Sequence, residues 1–540
     1  MLRRLFLILS LVLVWIAPVE SACTGSSPTW TAASGSQADF DSCHTNASSG
    51  DTILMPSGTF SWTGNSTVTK NIHIQGAGGG RVEGMSTTSL AIGTGSKSFT
   101  VRSGSVVSSG FTVSETVRAR VKYNAADWME GTVTSWNGTT LVLNVTSTGG
   151  SGTFAAWVFE MPAATIITNN AGDTVMLTLT ENTTASLELR DLRIQGGTGT
   201  NTGAMISMVT VTNGKPVIIH DVRLSSNNAR VMKFNSGNRG LLYRVYMDVG
   251  FDWDNASSNT VPGYGIAVKH NNGFPGGNSI WDQPSTMGDL DTDGTHNIYI
   301  ENTYITGFGL EAMDPDDNAR LVFRYSVMDN SGSASHGADT SNIGSRHIEY
   351  YNNLWAFNDV GTATMNNDYF FFLRGGEGVF TDNTVDDISS SEWGNKSEIK
   401  LIVENLRRSA GPYGCYTGGW PAPHQVGQGW VNGAGFTDPP ANGQTPQGFY
   451  VWNNTGTVAI GLNDYSPDGC GGGPAVGTYI QSGRDYFTTA KSGYTKYTYP
   501  HPLRSGEPPP SPDSPGRINP LMRWHANADP LIVPASDHSE

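Results

Sequence analysis

The feature that most constrains the fold of this 540-residue chain is a recurring segment. LELRDLRIQGG (187–197), VIIHDVRLSSN (217–227), LLYRVYMDVG (241–250), IYIENTYITG (298–307), LVFRYSVMDN (321–330), EYYNNLWAFN (349–358), VFTDNTVDD (379–387) and FYVWNNTGT (449–457) each read as a short strand, a polar turn and more strand. Aligned on Asp191, Asp221, Arg244, Glu301, Arg324, Asn352, Asp382 and Asn453, they step by 30, 23, 57, 23, 28, 30 and 71 residues, the long steps being near-multiples of the short ones with loops inserted. A period in the twenties built from short strands marks a solenoid. One coil cannot bury its apolar face alone, whereas stacked coils share a continuous core. The next aligned column is Leu192, Val222, Val245, Asn302, Tyr325, Asn353, Asn383 and Asn454. It predicts an inward stack of asparagines, whose amides bond the backbone and one another along the axis.

Composition narrows the class. Glycine occupies 66 positions and charged residues make up only 15 %, which excludes a coiled coil; recurring aliphatic and aromatic residues exclude a charged disordered chain. The net charge of −15 argues against nucleic acid as a partner. It does not exclude an acidic polysaccharide, because a local basic cleft or a bound cation reverses the field. Arg3 and Arg4, the apolar run Leu5 to Ala17 and the small residues ending at Ala22 read as a signal peptide over 1–22, so secretion is expected. A lipid anchor on Cys23 is the minor alternative, with Glu20 against it. No other stretch is long and apolar enough to span a membrane. The four cysteines allow three pairings, of which the local one, Cys23–Cys43 with Cys415–Cys470, is expected.

On these repeats the chain resembles the right-handed parallel β-helix proteins of the pectate-lyase-like superfamily. The resemblance is carried by GDTILMPSGTFSWTGNSTVTKNIHIQGAG (50–78), ARLVFRYSVMDN (319–330), GSRHIEYYNN (344–353), FFLRGGEGVFTDNTV (371–385), HQVGQG (424–429) and GRDYFTTAKSGYTKYTYPHPL (483–503). It implies an all-β, right-handed parallel β-helix, with a cap and first coils over 23–87 and the main body over 161–503. Residues 88–160 break the pattern. Their alternation and Asn-Gly and Gly-Gly turns read as β-hairpins, and they resemble a small β module of phage structural proteins inserted into the solenoid. Loops at 250–295 and 386–448 are expected to flank the outer sheet. Residues 504–540 begin with a Pro/Ser-rich linker.

A β-helix fills its interior with apolar stacks, so chemistry belongs on an outer face. Strand parity places Glu301, Arg324, Asn352 and Asp382 outward on successive coils, with Asp314, Asp316, Asp317, Arg320, His336, Arg346 and Arg374 nearby. The resemblance implies a secreted, monomeric enzyme that cleaves an extracellular polysaccharide, most simply a lyase acting on uronates. In such a reaction Arg346 and Arg374, helped by Arg320 and Arg324, neutralise the sugar carboxylate, and His336 or Lys269 takes the C5 proton. Asp314, Asp316 and Asp317 are candidate Ca²⁺ ligands. Trp281, Glu301, Asn352 and Asp382 are candidate sugar contacts. Two alternatives stand beside this reading. One is a glycoside hydrolase with Asp316 or Asp317 opposite Asp382 or Glu301; the other is a glycan-binding, adhesin or structural protein without catalysis. The same charges also suit a ladder that only neutralises itself, and His220 beside Asp221 reads as a satisfied structural residue.

Overall fold

Each coil of the chain passes in turn through three parallel sheets, named A, B and C below. The computed structural model describes residues 22–504, apart from scattered shorter stretches and 250–263, 270–290, 336–344, 357–370, 386–397, 402–415, 431–443 and 463–474. Over the described residues, sheets A, B and C hold thirteen, nine and ten strands. One coil runs Glu188–Arg190 (A), Arg193–Gly196 (B) and Ala204–Val209 (C), and returns to sheet A at Val217–His220. The protein is a parallel β-helix carrying a small antiparallel insert.

Alternation decides which side chains fill the interior. Along sheet A, Leu189, Ile219, Leu242, Ile300, Phe323, Tyr350 and Phe380 are in register on successive coils, and all are buried. Each contributes about 1.5–3 kcal/mol, which a single coil in water does not recover.

The A-to-B corners explain the periodic polar residues. Asp191, Asp221, Arg244, Asn302, Tyr325, Asn352, Asp382 and Asn453 all have left-handed φ values between 49° and 59°. Asn and Asp tolerate that conformation best among non-glycine residues. The alignment on Glu301 and Arg324 is therefore one residue early: the corners are Asn302 and Tyr325, and Glu301 and Arg324 end the strands Ile298–Glu301 and Arg320–Arg324. The polar stack shifts accordingly. Thr303 N donates to Ser326 Oγ (3.0 Å), Ser326 N to Asn353 Oδ1 (3.0 Å), Asn353 N to Asn383 Oδ1 (3.0 Å) and Asn383 N to Asn454 Oδ1 (2.9 Å). The asparagine ladder thus forms over Asn353, Asn383 and Asn454, while Ser326 and Thr303 extend it in place of Tyr325 and Asn302.

The first coil is closed by the helix Gln37–Asn46, whose N-cap Ser36 accepts from Asp39 N at 3.2 Å. Phe40 packs on Trp62 (centroids 5.2 Å apart), and Cys23–Cys43 forms a disulfide. Cys415 and Cys470 lie outside the described residues.

The insert leaves the solenoid after His73–Gln75 and returns at Thr165–Asn169. Its two ends meet where Ala164 N donates to Gly78 O at 2.8 Å, so the stack continues across the interruption. Six antiparallel strands, from Val82–Ser86 to Trp157–Glu160, enclose a separate core. Trp136 packs into that core against Phe111 (5.0 Å), and Trp128 lies under Arg118 (4.2 Å). The insert covers part of sheet B. Val82, Met85 and Val158 pack on Tyr246, Tyr304, Val327 and Leu354, and Lys122 Nζ reaches Asp329 Oδ1 at 2.9 Å. No helix among the described residues is long and apolar enough to cross a membrane.

Candidate functional site

The outer face of sheet A has two zones, divided at Tyr243. On the later coils it is covered by the C-terminal segment, which runs back along the sheet after the strand Tyr486–Phe487. Tyr494 OH donates to Glu349 Oε2 (2.8 Å), and Lys496 Nζ contacts Asn352 Oδ1 (2.6 Å) and Asp382 Oδ2 (2.5 Å). Tyr499 stacks on Tyr325 at 3.6 Å. Arg324 is fully buried beneath this segment and donates to Glu301 Oε1 (3.1 Å), Tyr351 OH (2.9 Å) and the carbonyls of Tyr497 (2.9 Å) and Thr498 (2.8 Å). Arg504 Nη1 reaches Glu301 Oε2 at 3.2 Å, and its guanidinium lies 4.6 Å over Tyr243.

On the other side of Tyr243 the face opens. His220 stacks on Tyr243 at 4.6 Å with the rings 5° from parallel. Its Nδ1 faces Asp221 Oδ2 (2.7 Å) and its Nε2 faces Glu188 Oε1 (2.5 Å). The other oxygen of Glu188 meets Nδ1 of His73. His73 Nε2 has no partner among the described residues, and the ring is 38 % exposed. Arg244 grips Asp221 with two bonds, Nε to Oδ1 at 2.7 Å and Nη2 to Oδ2 at 2.5 Å, which holds a bulky residue in the left-handed corner. Arg190 donates to Gln75 Oε1 (2.8 Å) and contacts Asp191 Oδ2 (3.4 Å).

Topology produces this cluster. His73, Glu188 and Ile218 are in register, as are Gln75, Arg190 and His220, and Asp191, Asp221 and Arg244 occupy three successive corners. The charges then set the protonation. Burial opposes ionisation of Glu188, but hydrogen bonds from His220 and His73 outweigh it and hold the carboxyl below the usual range. Asp221 is likewise lowered: burial raises it, and the bonds from Arg244 and His220 prevail. His220 is raised, because its two carboxylate bonds outweigh burial. Asp191 is also raised, by burial and by the charge of Asp221. Two carboxyls on neighbouring corners thus have their pKa values pushed apart, the arrangement that separates an acid from a base.

The residues singled out from sequence fall on two different faces. Glu301, Arg324, Asn352 and Asp382 contact the C-terminal segment on sheet A or the network beneath it. Arg320, on the same face, is fully buried and donates to Asn297 Oδ1 at 3.0 Å. Asp314 and Asp316 belong to sheet C and are buried. Asp314 pairs with Arg230 at 3.2 Å, and Asp316 is in register with Lys269. Arg346 is fully buried ahead of the strand His347–Tyr351, and Arg374, 8 % exposed, lies 4.7 Å over Phe372. Asp317, Trp281 and His336 lie outside the described residues. Asp291, Asp293 and His296 form the one grouping of potential metal ligands among the described residues. Asp291 there accepts from His296 N (2.9 Å), Asn297 N (2.9 Å) and Tyr299 OH (2.9 Å), as a turn-forming carboxylate does.

Sequence reasoning set His220 aside and passed over His73, Glu188 and Arg190. The available signal was the pair of quartets Arg190-Asp-Leu-Arg193 and His220-Asp-Val-Arg223, 30 residues apart, which put charge on both sides of one corner.

No family model and no curated protein matches the chain. Among solved structures it is similar to the tailspike gp61 of Pseudomonas phage phi297, with 12 % identity, 67 % of this chain and 72 % of that one covered, and a TM-score of 0.15. It is also similar to the tailspike protein gp49 of Pseudomonas phage LKA1, with 10 % identity, 68 % and 73 % covered, and a TM-score of 0.19. Likenesses this weak bear no argument about function, and the β-helix assignment stands on the strand pairing itself.

Proposed function

We propose that the open zone of sheet A is the reactive surface of a secreted enzyme that cleaves uronate-containing polysaccharide by β-elimination. The observation that supports this most is His73, an imidazole oriented by a carboxylate at Nδ1 and open at Nε2, which is the arrangement of a general base. Arg190, on the neighbouring coil, and Arg244, two coils further along the same face, suit a sugar carboxylate, whose neutralisation acidifies the C5 proton. His73 Nε2 takes that proton. The C5–H electron pair forms the C4–C5 double bond as the C4–O bond breaks, and Asp191, with its raised pKa, protonates the departing glycosidic oxygen. Arg346 and Arg374 are the alternative partners for the sugar carboxylate; their burial ranks them behind sheet A.

One observation favours hydrolysis as the second reading. Asp191 and Asp221 sit on adjacent corners with opposite pKa shifts, as an acid and its partner carboxylate do. The products decide between the two. Incubation with pectate, alginate or glucuronan yields the ultraviolet absorbance of an unsaturated uronate if the protein is a lyase, and reducing ends without that absorbance if it is a hydrolase. His73→Ala is expected to lower turnover about 100- to 10,000-fold with little change in melting temperature. Full activity in His73→Ala with none in Arg374→Ala moves the site to sheet C. Binding of these glycans without any cleavage leaves the non-catalytic alternative.

A further inference from the structure

Around the corner from Asp191, where the insert meets sheet B, the charges of the described residues do not balance. Arg120 Nε contacts Glu160 Oε1 at 2.7 Å; Arg223 contacts the same oxygen at 3.2 Å and Asp248 Oδ2 at 2.7 Å. Two guanidiniums thus match two carboxylates. Arg193 is the third, in register with Arg223 on the neighbouring coil. Its described side-chain contact is one bond from Nη2 to Ser225 Oγ at 3.3 Å, and its Nε is buried without an acceptor. No described carboxylate lies within ion-pairing distance of it. Asp248 Oδ1 is without a donor as well, but that oxygen does not reach Arg193.

A guanidinium is desolvated this far only at a cost, which the approach of a second cation increases. Burial and the neighbouring Arg223 bring its pKa down to about 10. Nη1 is neither bonded to a described residue nor among the buried polar atoms, so the guanidinium still offers a donor with which arginine recognises an oxyanion. Arg193 also remains partly accessible, unlike Arg223.

We propose that Arg193 is the anchor of an oxyanion-binding subsite at the seam between insert and solenoid, filled by a carboxylate, sulfate or phosphate group. The occupant is either a free inorganic anion or a carboxylate of an acidic glycan. Only the glycan arm rests on the sheet A reading, since residues 190–193 connect the two surfaces through one tight corner.

The test is calorimetric binding of sulfate and of an oligogalacturonate to the whole chain, with chloride at equal ionic strength as reference. Wild-type protein, Arg193→Met, Arg193→Lys and His73→Ala are compared. Arg193→Met is expected to bind about 10- to 100-fold more weakly, as befits lost charge-assisted hydrogen bonds, with an unchanged or higher melting temperature in chloride. Arg193→Lys is expected to retain partial binding, and His73→Ala to bind like wild type even if turnover is lost. Sulfate binding alone identifies a free-anion site; oligogalacturonate competing with sulfate identifies a glycan subsite. Equal binding by wild type and Arg193→Met, or binding by neither, overturns the proposal. So does a marked fall in the melting temperature of Arg193→Met in chloride, which assigns Arg193 to the scaffold.

Discussion

Glu188 lies between two imidazoles, so Glu188→Gln removes one charge while keeping the shape of the side chain. His220 then loses one of its two carboxylate partners. A contacting opposite charge favours the protonated imidazole, and His220 is only 9 % exposed, so its pKa is expected to fall, and the lost hydrogen bond to a charged group is worth about 1.5–3 kcal/mol. The sign follows from the native pKa values. His220 is raised on folding, so its contribution is fully present below about pH 6.5 and is lost as pH rises through the elevated value. Glu188 is depressed, so its contribution is present above about pH 4.5 and is lost as pH falls through the lowered value. The stability lost in Glu188→Gln is therefore largest between about pH 4.5 and 6.5 and shrinks in alkali. NMR titration of the histidine ring protons reads the first effect, and denaturant unfolding at several pH values reads the second. Turnover is expected to fall as well, because glutamine no longer fixes the tautomer that leaves His73 Nε2 free. An unchanged His220 titration, or a stability loss that does not vary with pH, refutes this account of the cluster.

Two further substitutions separate scaffold from site. Asn383→Ala takes the acceptor from the Asn353 N–H and the side-chain donor from the Tyr350 carbonyl, while Asn353 Nδ2 keeps Phe323 O. At about 1–3 kcal/mol for each of the two groups, less partial relaxation, a loss of about 2–4 kcal/mol is expected in denaturant unfolding; a loss under about 1 kcal/mol contradicts the ladder. Arg324→Met breaks a fully buried pair and frees two carbonyls of the C-terminal segment, so a loss of about 3–5 kcal/mol and faster proteolysis of residues 486–504 are expected, with turnover per folded molecule unchanged. Lost turnover at unchanged stability instead makes Arg324 a substrate contact.

The repeat was legible because a β-helix corner makes a demand that few residues meet. Six of the eight corners are Asp or Asn, and that recurrence is visible without coordinates. The register slipped where the corner holds Tyr325, because a tyrosine there carries no local signal; its left-handed backbone is accompanied by stacking on Tyr499, which is 174 residues away. The disulfide Cys23–Cys43 was legible from short separation, and the asparagine ladder from its column. What alternation could not show is which outward charges stay in water. Parity put Glu301 and Arg324 on the outside of sheet A correctly, but no periodic pattern announces that residues 494–504 return to lie over them.

That return makes the outer face of the solenoid uneven. A solenoid repeats its surface, so every coil offers the same outer strip, and something irregular must select one part of it. Here two non-repeating elements do so. The insert covers sheet B over Tyr246, Tyr304, Val327 and Leu354, and the C-terminal segment covers sheet A from Trp452 back to Tyr243. Between them lie the corners of Asp191, Asp221 and Arg244. The titratable groups there are held by bonds to one another across coils, on rigid strands rather than on loops, which is the preorganisation that acid–base chemistry needs. The charges under the C-terminal segment are different in kind. Glu301, Arg324 and Arg504 neutralise one another and bind main-chain carbonyls, so they fix the segment in place. The same residue types therefore fasten a covering segment on one side of Tyr243 and stay partly exposed on the other, and the boundary is set by where the covering chain ends its contacts.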